Sequence, residues 1–120
     1  MIHPSTRKLI DRLHARTLED RVGWTEGDDG AIQYATSDYR LIVFAETNEM
    51  KLLDADDREL EYVDQSELAE MANDNGVGYT DIASELFVEG LRIAKGTKRA
   101  IDTIMAGLEA LNADEDKIAA

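Results

Sequence analysis

The chain has no cysteine, one proline, one tryptophan and two histidines among its 120 residues. Without cysteine it can form no disulfide, no thiolate metal site and no thiol nucleophile. Aromatic residues make up only 6% of the sequence, so its core has to be built mainly from aliphatic side chains. No apolar run approaches the roughly 20 residues that cross a bilayer. Arg7, Lys8, Asp11 and Arg12 interrupt the N-terminal segment, unlike the apolar stretch of a secretion signal, so a cytoplasmic address is expected. Basic residues are also scarce: 13 Lys and Arg stand against 26 Asp and Glu, for a formal net charge of −13. Nucleic acids and anionic membranes are bound by neutralising phosphate with Lys and Arg, so neither is an expected direct partner.

The acidity is concentrated in one place. Residues 26–90 carry eighteen carboxylates and only three cations, Arg40, Lys51 and Arg58, whereas the segments on either side are mildly basic. Net charge of this kind bears on solubility and association before it bears on a site, and a saline habitat would favour it as well. With 43% hydrophobic residues falling in periodic clusters, the chain is expected to fold rather than stay disordered. Its length is that of one domain, which hides roughly 65% of its unfolded surface on folding. Residues 1–112 are expected to form that domain, with 113–120 as an acidic, flexible tail.

Periodicity sets the order of elements. Leu9, Ile10, Leu13 and Thr17 mark one stripe of a helix that opens at Pro4 and reaches about Asp20. A strand region starts at Val22-Gly23-Trp24, and the turn Gly27-Asp28-Asp29-Gly30 leads to strands over 31–36, 39–46, 50–54 and 60–63. Leu41 to Phe44 are consecutively apolar, as in a central strand covered on both faces, or with one face against helices and the other partly shielded. Asp64 and Glu67 have the spacing of a capping box, and Asn75-Gly76 the chemistry of a helix end. Thr80-Asp81 is expected to cap the next helix, with Gly96 as its stop and Thr97 as the restart of a last helix to about Leu111. Ile82, Ala83, Leu86, Phe87, Leu91, Ile93 and Ala94 cover about half the circumference of the first of these two helices, which implies contact with two bodies: the sheet and the neighbouring helix, or a partner subunit. The last helix has a narrow stripe, Ile101, Ile104, Met105, Leu108 and Leu111, which needs one surface to pack on. The expected fold is therefore a two-layer α+β domain: an N-terminal helix, an antiparallel meander of four to five strands, and C-terminal helices packed on one sheet face.

Few constellations carry chemistry. The densest acidic run is Asp54, Asp56, Asp57, Glu59 and Glu61. Counted as an EF-hand loop from Asp54, positions five, six and twelve are Arg58, Glu59 and Gln65, where an oxygen ligand, glycine and glutamate are required. The run reads as a solvated hairpin turn. Asp11 and His14 share a helix face, but a catalytic zinc takes three protein ligands, so a surface His–Asp pair is expected. There is no G-x-S-x-G elbow, and Gly76-Val77-Gly78 lacks the lysine and full glycine spacing of a phosphate loop. A working acid–base pair needs one carboxyl desolvated, whereas these acids fall in turns and on polar helix faces. No catalytic residue, metal ligand or cofactor is assigned.

The residues assigned to a possible partner surface are Lys8, Arg12, Arg16, Trp24, Phe87 and Leu91. The three cations recur at spacing four and either form a basic ridge for a partner or answer the acidic sheet rim of their own chain. Trp24 anchors the core or, if exposed, marks an interface.

Two stretches resemble a group of small, stand-alone, uncharacterised bacterial domains. They are His14-Ala-Arg-Thr-Leu-Glu-Asp-Arg-Val-Gly-Trp24, a helix followed by a tryptophan, and the closing helix pair from Glu85-Leu-Phe-Val-Glu-Gly-Leu-Arg-Ile-Ala-Lys-Gly96 through Leu108. The resemblance implies the α–meander–α order and transfers no functional residue. One departure is Asp57, where such hairpins usually have glycine. The expected function is that of a non-enzymatic, acidic adaptor or regulatory module that binds a protein partner or itself, as a homodimer. The competing expectations are an anionic decoy that mimics nucleic acid toward a basic protein, and a carboxylate- or metal-dependent enzyme.

Overall fold

Pro4 stands in the first turn of helix α1 (Pro4–Leu18), where a missing N–H goes unnoticed, and the His3 ring caps the same end by accepting from the Ser5 N–H at 3.1 Å. The computed structural model describes the backbone of residues 2–119 and the side chains of residues 2–97 and 99–111. Strands β1 (Thr25–Glu26), β2 (Ile32–Ala35), β3 (Tyr39–Val43), β4 (Met50–Asp54) and β5 (Glu59–Val63) follow, then helices α2 (Gln65–Glu70), α3 (Tyr79–Ala94) and α4 (Thr97–Ala119). The five strands form one antiparallel meander in sequence order. The architecture is α+β, as the sequence pattern implies.

Register sorts the side chains between the faces. Ile32 pairs with Val43, Val43 with Met50 and Met50 with Val63, so all four share a face, and Tyr34, Leu41 and Leu52 join them through their own pairings. Helices α1 and α3 pack on that face, enclosing Ile2, Ile10, Leu13, Leu68, Tyr79, Ile82 and Leu86. The other face carries Gln33, Arg40, Ile42, Lys51 and Tyr62 and is open to solvent, apart from Leu53. The Leu41–Phe44 run is thus covered on one face only.

Several boundaries differ from those expected, each for a local reason. Val22 and Trp24 turn into the core instead of pairing, which leaves β1 only two residues long. Strand β3 stops at Val43 because Phe44 accepts from the Asn48 N–H, with Glu46 and Asn48 in left-handed conformations. The Asp64–Glu67 capping box forms with both of its bonds, but α2 ends at extended Met71, and Ala72 bridges to Gly78. Gly78, not Thr80, then becomes the N-cap of α3 and offers no side-chain bond.

The tightest contact in the fold is between α3 and the sheet. A Cβ placed on Gly90 would meet Ile32 Cδ1 at 2.5 Å and the Trp24 ring at 3.3 Å. Ile32 is fully buried, so its Cδ1 could move aside only by disturbing the packing around it. Only glycine lets α3 approach this closely.

Beyond Gly96, whose left-handed φ of 68° closes α3, the chain leaves the domain. Residues 99–111 of α4 are all exposed, and the radius of gyration is 18.6 Å against about 14 Å for a compact chain of this length. The expected helix end near Leu111 is passed, since α4 is helical to Ala119. The flexibility expected for 113–120 concerns residues whose side chains lie outside those described.

A Gly90→Ala variant should therefore lose about 1–3 kcal/mol of unfolding free energy by overpacking, although alanine is the better helix former. Gly107→Ala, where a new Cβ meets nothing within 4 Å, should instead be neutral or gain about 0.5–1 kcal/mol. Urea titrations of the two variants check this, and equal effects would contradict the close approach.

Candidate interaction surface

Trp24 is 3% exposed and so is a core residue, not a partner contact. Its indole N–H donates to the buried Thr17 hydroxyl at 2.8 Å, and its ring meets Tyr34 edge-on at 6.1 Å between centroids. Phe87 and Leu91 lie on the flank of α3 and pack against the core cluster, each partly open to solvent. Lys8, Arg12 and Arg16 are exposed on α1. The counter-charge expected from the sheet rim is not used: Arg16 pairs with Glu19 at its own helix end, and among the described residues neither Lys8 nor Arg12 has an ion pair. The six residues form no single patch, because Trp24 lies inside and the others sit on two different helices.

The acidic middle is organised by its own cations. Arg40 reaches Asp57 at 2.9 Å, Lys51 reaches Glu59 at 3.8 Å, and Arg58 Nε donates to Asp54 at 2.8 Å. The Asp54 carboxylate also accepts from the backbone N–H groups of Asp56 and Arg58, and these bonds hold its pKa below the usual value. Arg58's backbone N–H is the largest cause and its guanidinium adds to it, partly opposed by desolvation. Asp57 takes the left-handed conformation, with φ 61°, that glycine usually supplies in such a turn. This is a hairpin turn, and no group of three His, Cys, Asp or Glu able to hold a metal lies among the described residues.

The histidine pairing also differs from the expected one. His14 Nε2 lies 2.8 Å from Glu85 on α3, and Asp11 instead accepts from the Tyr79 hydroxyl at 3.0 Å. Both are links between α1 and α3. Arg7 lies over the Tyr79 ring, 5.7 Å from its centroid, and donates to the Ala72 carbonyl. A polar cavity of about 140 Å³ opens here between Arg7, Lys8, Asp11, Asp74 and Tyr79. Arg7 Nε and Asp11 Oδ1 are buried beside it without a protein partner. The cavity is roomy enough for water to satisfy both.

Two apolar surfaces remain uncovered. One is a groove of about 270 Å³ between α1 and the sheet, lined by Leu9, Leu13, Tyr34, Tyr39, Leu41 and Leu52. The other is α4, where Ile101, Ile104, Met105, Leu108 and Leu111 are 46–62% exposed. Covering each of these half-exposed side chains is worth roughly 1 kcal/mol. At 100° per residue the stripe is centred roughly opposite Arg99, Asp102, Thr103 and Ala106, the α4 residues that line an open cleft of about 530 Å³ against Ile93 and Gly96. The polar face of α4 therefore turns toward the domain, and its apolar face turns away.

No described helix is long and apolar enough to cross a membrane. The chain finds no match among protein-family models, curated proteins or solved structures.

Composition alone could not have found the Tyr79 link, because it depends on a long-range contact. Tyr79 is fully buried, and desolvation raises its pKa above the ordinary 10.0; the Asp11 carboxylate raises it further and Arg7 opposes. Folding thus favours the neutral phenol, so its contribution is complete below pH 10 and is lost as pH rises through the folded-state value. Unfolding free energy measured from pH 8 to 11.5 should fall at the alkaline end, and Tyr79→Phe should flatten that fall while lowering stability at pH 8 by about 1 kcal/mol.

Proposed function

We propose that this protein is a non-enzymatic protein-interaction module, an adaptor or regulatory part with a cytoplasmic address, that engages another protein surface through the apolar face of α4. The observation that carries the reading is the stripe from Ile101 to Leu111, half-exposed along a helix that projects from the domain. Contiguous exposed apolar surface rimmed by polar residues marks interaction sites on soluble proteins. The amphipathic helix supplies a recognised mode of binding, in which anchors at i, i+3, i+4 and i+7 enter a partner groove. The anionic-decoy reading draws less support. Its carboxylates would have to stand free in a regular array, whereas Asp54, Asp57 and Glu59 are spent on Arg58, Arg40 and Lys51 within the same sheet.

The stripe can be charged without disturbing the fold, because Ile104 and Leu108 are 62% and 50% exposed. Ile104→Glu/Leu108→Glu should keep its circular dichroism spectrum and unfold within about 0.5 kcal/mol of the wild type. As baits in native extract, the wild type should retain a stoichiometric protein species, own copies included, and the variant should retain at least tenfold less. Equal recovery by the two baits, or no stripe-dependent species at all, would refute the reading.

A further inference from the structure

We infer that the occupant of the α4 stripe is α4 of a second copy of this chain, laid antiparallel to the first. The inference rests on the interaction reading above and names its partner.

Ile101, Ile104, Leu108 and Leu111 follow a three-four-three spacing, the seam of a two-stranded coiled coil and narrower than the arc of a helix that packs on a globular core. The described residues leave this seam uncovered, since Arg99, Asp102, Thr103 and Ala106 on the opposite side of α4 are the residues that face the domain. A second copy brings a seam of the same width and composition. A two-fold axis near Ala106 sets Ile101 level with Leu111 and Ile104 level with Leu108, so four apolar layers close with every seam residue used.

Charge selects the direction. The start of α4 is basic, with Lys98 and Arg99 just after Lys95, whereas its second half carries Glu109, Asp114, Glu115 and Asp116 against Lys117. Antiparallel helices place the acidic end of each copy beside the basic start of the other. Parallel helices stack like charge on like, in a chain whose net charge of −13 already opposes association. The helix is 23 residues long, about 34 Å, and two such helices bury roughly 1,000 Å² in all. That is the low end for a specific interface.

The absence of cysteine makes the geometry directly readable. Sedimentation of the full chain from 1 to 300 µM should show a reversible monomer–dimer equilibrium, and Leu108→Glu should raise its dissociation constant about 100-fold by placing two carboxylates in the seam. Under mild oxidation, a mixture of Ile101→Cys and Leu111→Cys chains should form the mixed disulfide dimer. Neither variant alone should link, because equal positions then lie about 15 Å apart, beyond the roughly 7 Å a disulfide tolerates. Disulfides between equal positions would overturn the antiparallel arrangement, and a dimer indifferent to Leu108→Glu would overturn the seam. A wild-type chain that stays monomeric throughout yet retains a different protein through the stripe overturns the second copy and leaves the interaction reading standing. A monomeric chain that retains nothing overturns both.

Discussion

The fold turns on one buried donor, the indole N–H of Trp24. At 3% exposure it cannot be left to water, and a buried unsatisfied donor costs about 1–3 kcal/mol. Thr17 on α1 meets the demand at 2.8 Å, which makes the only buried polar residue among those described the fixed partner of the only tryptophan. The ring edge then rests against Tyr34 of β2, and its pyrrole side touches the backbone of α3 at Gly90, where a side chain has been dispensed with. Three elements, α1, β2 and α3, are thus held against a single rigid group.

The acidity and the exposed helix make sense together. Within residues 26–90 the three cations are all committed to nearby carboxylates, which shape the β4–β5 turn and brace the sheet without cancelling its excess charge. Exposed pairs of this kind add little stability. What remains is a strongly negative body that repels its own kind at large. A half-exposed apolar stripe on a neutral body would invite indiscriminate association. On this one, net charge opposes association at large, while α4 itself carries a basic start and an acidic second half.

Much of this was legible in the sequence. Pro4, the Asp64–Glu67 capping box, Gly96 and the alternation along 39–63 report on local backbone chemistry, and the element order followed from them. The misreadings arose where a tertiary demand overrode the local one. Val22 and Trp24 look like strand residues and are core residues, because the Thr17 acceptor and the Gly90 gap draw them inward. Thr80 has the chemistry of a cap, but the Ala72–Gly78 bridge and the Tyr79–Asp11 bond start the helix earlier. Of the partner residues proposed from sequence, Lys8, Arg12 and Arg16 are on the surface as expected, yet nothing in their spacing could show that the sheet rim would leave them unanswered.

The two C-terminal helices show how the width of an apolar face should be interpreted. On α3 the apolar arc spans about half the circumference, and α1, α2 and the sheet cover it, with Tyr79, Ile82, Ala83, Leu86 and Gly90 buried. On α4 the stripe is narrow, which calls for one covering body, and the described residues of the chain supply none. A helix meant only for solvent has no reason to keep four aliphatic residues in a three-four-three seam, since each half-exposed side chain sacrifices burial free energy that a polar residue would not forgo. Among the described residues nothing covers the stripe, and its width suits a covering body of about the breadth of one helix.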